Sequence, residues 1–140
     1  MDAAIIVAVI SAAATIIVTA LSFSFTKRQE REAEWRRHKL EHYKEYMAAL
    51  NGVVGPPPVP EAKIRHADAA NNLFLVGDAE VLVALRAYLD NNSESMGERR
   101  LDRHDELLTN LLLAIRKDLK IKTKPPKGFE FRLWSGKPRQ

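Results

Sequence analysis

From Ala3 to Phe25 the chain reads AAIIVAVISAAATIIVTALSFSF without one charge, then turns abruptly into TKRQEREAEWRRHK. A helix of this length rises about 34 Å, enough to cross a hydrocarbon core with some tilt. No helix breaker occurs before Leu50, and Arg, Glu, Lys, Ala and Leu dominate residues 27–50, so the span is expected to continue as one long helix. The turn signal Asn51-Gly52 and the stiff segment Gly55-Pro56-Pro57-Pro58-Val59-Pro60 should end it and let the chain reverse. A second helix is expected from Pro60, well placed at a first helical position, to Val76, with Gly77 closing it. Asp78 suits the N-cap of a third helix reaching about Leu89. After a polar loop from Asp90 to Gly97, a fourth helix is predicted from Glu98 to Leu119, with Leu101, His104, Leu108, Leu111, Leu112, Ile115 and Leu119 on one face. Beyond it Phe129, Phe131 and Leu133 alternate with Glu130 and Arg132, the pattern of a short extended strand or a docked arm.

The predicted fold class is therefore all-α: one long N-terminal helix, a small bundle of three further helices, and a short extended C-terminal arm. Residues 1–26 form the span, 27–119 the helical domain and 120–140 the arm. Within the domain, 27–54 continue the span, 55–60 are the Pro-rich spacer and 61–119 hold the three helices.

One periodicity crosses the membrane boundary. Alternating steps of four and three pick out Ala8, Ala12, Thr15, Thr19, Ser22, Thr26, Gln29, Ala33, Arg36, Leu40, Tyr43, Met47, Leu50 and Val54, the period of a left-handed helical seam. In the span this stripe is small or hydroxyl-bearing; further on it becomes large and apolar. Small residues let membrane helices approach closely, and hydroxyls can bond across them. Three readings remain open: a lone anchor whose hydroxyls bond back to their own helix, a homo-oligomer packed along the stripe, and a pore lined by Thr15, Thr19 and Ser22. In the last two, Leu40, Tyr43, Met47 and Leu50 would continue the seam outside the membrane.

Charge orients the span. Asp2 alone precedes it, whereas Lys27, Arg28, Arg31, Arg36, Arg37 and Lys39 follow, which puts the N-terminus outside and the domain in the cytoplasm of a bacterial inner membrane, with anionic lipid near Lys27–Lys39. Val18-Thr19-Ala20 is the one sequence resembling a signal-peptide cleavage site, but the run is too long and its basic cluster lies on the wrong side. The net charge of +4 conceals basic ends around a mildly acidic body. A basic tail favours anionic partners such as lipid, nucleotide or oligonucleotide. With no cysteine, thiolate chemistry and disulfides are excluded.

Catalytic patterns are thin. His38-Lys39-Leu40-Glu41-His42 spells H-x-x-E-H, a zinc-peptidase pattern, but it lies in a charge-dense helix with no third-ligand motif after it. His104-Asp105-Glu106, His66 and Asp68 read as helix-surface residues, with His104 partly buried. Neither G-x-S-x-G nor a Walker A loop occurs. The expectation is a non-enzyme without metal or cofactor. In the arm, Lys120, Lys122, Lys124 and Lys127 flank Pro125-Pro126 and precede Arg132 and Trp134. Basic groups interleaved with aromatics can hold phosphates and stack bases. Alternatively, the aromatic side of the arm packs on the domain or on a neighbouring subunit while the lysines stay in water.

The stretches TKRQEREAEWRRHKLEHYKEYMAAL, ANNLFLVGDAEVLVALRAYL and DELLTNLLLAIRKDLKIK resemble those of small bacterial membrane proteins with one N-terminal span and a helical cytoplasmic domain. In layout and charge the chain also resembles membrane-effector subunits of antiviral systems of the Hailong type, in which a nucleotidyltransferase product controls a membrane channel. This resemblance implies a homo-oligomeric channel effector with a cytoplasmic sensor that binds a nucleotide or other anion. The alternative is a membrane-anchored scaffold that recruits a cytoplasmic protein.

Overall fold

A computed structural model describes residues 2–54, 58–93 and 101–134, except for the side chains of 101 and 102. Its helices are α1 (Ala3–Val53), α2 (Pro60–Val76), α3 (Ala79–Asn92) and α4 (Leu101–Asp118), and among the described residues no strand forms. The fold is all-α. The expected spacer residues Gly55, Pro56 and Pro57, the loop residues from Glu94 to Gly97, the start of the fourth helix at Glu98 and the side chain of Leu101 lie outside the described residues.

The chain divides into two units, Met1–Arg37 and His38–Gln140. In the first, α1 is exposed throughout its apolar half, and it is the one described helix long and apolar enough to cross a membrane. The carbonyl of Asp2 accepts from the amides of Ile5 and Ile6 at 2.9 and 3.4 Å, satisfying orphan donors of the first turn. Past Phe25 the helix is supported by pairs one turn apart, Lys27–Glu30 at 2.9 Å, Arg28–Glu32 at 3.5 Å and Arg36–Glu32 at 3.7 Å, each a weak surface contribution.

The second unit is built on the remainder of α1. Lys39, Tyr43, Tyr46, Ala49 and Leu50 are its buried positions. They meet Ala69, Ala70 and Leu73 of α2, Val81, Leu85 and Tyr88 of α3, and Leu107, Leu108, Leu111, Ala114 and Ile115 of α4 in one core. Burial of each large apolar side chain contributes about 1.5–3 kcal/mol. α3 and α4 make the most extensive helix–helix contact in the bundle.

Local chemistry explains most of the boundaries. Pro60 starts α2 with its preset φ, following extended Val59. Asp78 caps α3, its carboxylate accepting from the Val81 amide at 3.0 Å. Gly77 follows α2 as expected, but with φ −69° rather than a left-handed conformation. The reason for glycine is space: a Cβ there would stand 2.9 Å from Val81 Cγ1 and 3.0 Å from the Leu73 carbonyl oxygen. The Asn51-Gly52 signal does not stop α1, which runs through it to Val53. α3 extends past Leu89 to Asn92, whose side-chain amide donates to the Tyr88 carbonyl at 2.7 Å. α4 ends with Lys120 in the left-handed region at φ 56°, while the Ile121 amide donates back to the Arg116 carbonyl at 2.9 Å, a Schellman closure without its usual glycine.

Candidate functional site

In the span, Ala8, Ala12, Thr15, Thr19, Ser22 and Thr26 are all exposed. The three threonine hydroxyls bond within their own helix. Thr15 Oγ1 donates to the Ser11 carbonyl at 2.9 Å, Thr19 Oγ1 to the Thr15 carbonyl at 2.8 Å and Thr26 Oγ1 to the Ser22 carbonyl at 2.9 Å. This is the back-bonding that lets a hydroxyl sit in an apolar medium, and it leaves the face narrow enough for close approach.

Beyond the span, the expected seam is corrected. Tyr43 is 2 % and Leu50 1 % exposed, and Met47 packs against the same core. These side chains are used up by the chain's own bundle and cannot face another copy. Leu40 alone of the four remains exposed. The buried stripe runs through Lys39, Tyr43, Tyr46 and Leu50, sharing the predicted period but drawn toward the face where α2, α3 and α4 supply partners.

That stripe carries a buried ion pair. Lys39 Nζ lies 2.7 Å from Asp118 Oδ1 and 2.9 Å from Oδ2, and the Tyr43 hydroxyl also donates to Oδ2. Both charged side chains are nearly buried, at 10 % and 7 % exposure. Burial, the hydrogen bond to Asp118 and the Asp118 charge push the Tyr43 phenol far above its ordinary value. Sequence reasoning placed Lys39 among the topology-setting cations and gave Asp118 no role. One sign was legible: an acidic residue ending a helix opposes the macrodipole and calls for a cationic partner.

A second polar chain links α3, α4 and the arm. The Tyr88 hydroxyl is 2.8 Å from His104 Nε2, His104 Nδ1 is 3.3 Å from Asp105 Oδ1, and Arg132 Nε is 3.2 Å from Asp105 Oδ2. Burial raises the Tyr88 phenol, and the Asp105 charge adds to it. On α1 and α2, the Tyr46 and His66 rings stand 5.4 Å apart, and neither Tyr46 Oη nor His66 Nε2 has a hydrogen-bond partner. Burial lowers the His66 imidazole and raises the Tyr46 phenol.

The arm that carries the expected anion-binding residues is anchored at two points along α4. The Arg116 guanidinium donates to the Thr123 carbonyl at 2.6 Å, and Thr109 Oγ1 accepts from the Phe131 amide at 2.9 Å. The arm thus docks on its own chain, running back along α4 with Phe131 and Leu133 half-buried, while Phe129 stays 49 % exposed. Lys120, Lys122 and Lys124 flank Ile121 and Thr123, which bond to Arg116 near the C-terminal end of α4, whereas Arg132 pairs with Asp105. Along the helix, Arg116 and Asp105 are separated by about 16 Å. Arg132 is matched by Asp105 and by Glu130 at 3.2 Å, and Trp134 is 88 % exposed. In the H-x-x-E-H segment, Glu41 pairs with Lys44 at 3.0 Å, and among the described residues no group of three or more His, Asp or Glu gathers into a metal cage.

One concave surface was missed. α3 and α4 leave an open groove of about 610 Å³, lined by Val83, Ala84, Ala87, Leu107, Leu113 and Ala114. Glu80 and Lys117 pair at 2.5 Å at one end of it. The alanines admit the close helix approach, and Val83 stands 72 % exposed at the rim. No known protein family, curated protein or solved structure matches this chain.

Proposed function

We propose that this protein is a single-span membrane effector of the channel type: α1 crosses a bacterial inner membrane with its N-terminus outside, copies associate through the span, and the His38–Gln140 unit is the cytoplasmic regulatory body. The observation that supports this reading is the face Ala8, Ala12, Thr15, Thr19, Ser22 and Thr26. It is small, hydroxylated and spaced for a helical seam, in a segment that the rest of the chain leaves uncovered. Because Tyr43 and Leu50 belong to the bundle core, assembly is assigned to the span alone. The test uses single cysteines at Thr15 and Thr19, with Ile17 on the opposite face as control. Copies should crosslink through Thr15→Cys and Thr19→Cys but not through Ile17→Cys. Overexpression should depolarise cells, and Thr15→Trp should alter that response. Equal crosslinking from all three positions, or none, would remove the assembly.

The open apolar groove between α3 and α4 favours a second reading, a membrane-tethered adaptor that holds a partner's apolar segment there. Under that reading Val83→Glu abolishes activity while membrane potential is unaffected by overexpression of the parent protein.

A further inference from the structure

The arm's lysines have a position that the sequence did not disclose. Between Lys120 and Phe129 the chain carries Lys120, Lys122, Lys124 and Lys127 and no acidic residue. Lys122, Lys124 and Lys127 are exposed and form no ion pair with a described residue. The Arg116 contact to the Thr123 carbonyl holds this segment at the C-terminal end of α4. The Lys39–Asp118 pair at 2.7 Å fixes that end against the start of the second unit, where the polypeptide enters from Arg37. Lys39 follows Phe25, the last apolar residue of the span, by 14 positions. That length is about 21 Å as helix and about 50 Å even fully extended. A tether of this length gives the lysines a high local concentration at the bilayer surface, which strengthens weak contacts.

From this placement we infer that Lys122, Lys124 and Lys127 form a contact surface for the anionic headgroups of the membrane that α1 crosses. The inference rests on the span proposed above. A lipid surface fits better than nucleic acid. Of the aromatics that could stack bases, Phe131 is half-buried with its amide on Thr109 and its ring against Phe129, and the groove between α3 and α4 is lined by none of the three lysines. An anionic bilayer asks only for several cations on an accessible segment that the tether lets reach its surface. The backbone is compatible with this: Lys120 holds the left-handed turn at φ 56° that ends α4, and Ile121 to Pro126 follow without regular structure.

The chain has no cysteine, so a fluorophore can be placed singly on Thr123→Cys or Thr15→Cys of the full-length protein. Each is reconstituted in nanodiscs of phosphatidylcholine alone or with phosphatidylglycerol, both containing a small fraction of spin-labelled lipid. Thr15→Cys should be quenched in both discs. Thr123→Cys should be quenched several-fold more with phosphatidylglycerol, and this excess should vanish in high salt and in the K122E/K124E/K127E variant. Quenching at Thr15→Cys with equal Thr123→Cys signals in both discs overturns the lipid contact and leaves the span standing. So does an excess that survives charge reversal. If inorganic phosphate or an oligonucleotide changes the Thr123→Cys signal in phosphatidylcholine discs, and charge reversal abolishes that change, the lysines serve a soluble anion and the proposal falls. An unquenched Thr15→Cys removes the span itself, and the lipid contact with it.

Discussion

Lys39 and Asp118, 79 positions apart, meet at 2.7 Å with almost no access to solvent. Together with Tyr43 they tie the second unit's first turns on α1 to the last residue of α4. An ion pair of this kind repays its desolvation only when both partners are present. Lys39→Met and Asp118→Leu should each destabilise the domain by about 3–5 kcal/mol, because each strands a buried partner. The double variant Lys39→Met/Asp118→Leu should cost clearly less than the sum. Thermal or denaturant unfolding of the detergent-solubilised chain reads this; additive losses would show that the two groups do not act as a pair.

All three tyrosines, Tyr43, Tyr46 and Tyr88, have phenols raised by burial. At about pH 11, where a free phenol is mostly ionised, the folded protein should show almost no phenolate absorbance. The sign of the linkage follows. A folded-state value above the unfolded one gives stability that is complete below about pH 10 and is lost as pH rises toward the folded values. Phenolate should therefore appear together with loss of helical circular dichroism. Titration of even one tyrosine in the folded protein near its ordinary value would contradict the packing.

His66 gives the opposite edge. Burial lowers its imidazole below the ordinary 6.5, so the unfolded chain takes up its proton first. Its contribution is present above about pH 6.5 and is lost as pH falls through that value toward the folded one. The melting temperature should fall between about pH 7 and pH 5, and His66→Phe should flatten that slope. An unchanged slope in the variant would assign the acid sensitivity elsewhere.

At Lys120 the backbone is left-handed, a conformation that costs an L-residue about 1–2 kcal/mol and a β-branched residue more. Lys120→Gly should be more stable than Lys120→Val by roughly 1–2 kcal/mol in the same unfolding assay. Equal stability would mean that the Schellman closure of α4 is not maintained in solution.

Local chemistry was legible from the residues alone. Pro60 at the start of α2, the Asp78 cap and the helical period on α4 depend on neighbours within about one turn, and each appears where those neighbours place it. Asn51-Gly52 misled because its turn preference is worth little against a helix whose next face, at Val53 and Val54, packs on the core. The seam misled for a related reason. Its 3.5-residue period correctly marked a buried face on α1, but a period cannot say whether the covering surface belongs to another copy or to α2, α3 and α4.

The sequence by itself determined the apolar helix, the order of four helices and the basic character of the arm, because hydropathy, capping and charge are properties of short stretches. Only the tertiary structure decided that Tyr43 and Leu50 close the chain's own core. It alone paired Lys39 with Asp118 and docked the arm on α4 through Thr123 and Phe131. Those outcomes depend on which distant surfaces fill the same volume, and that is set by packing between segments.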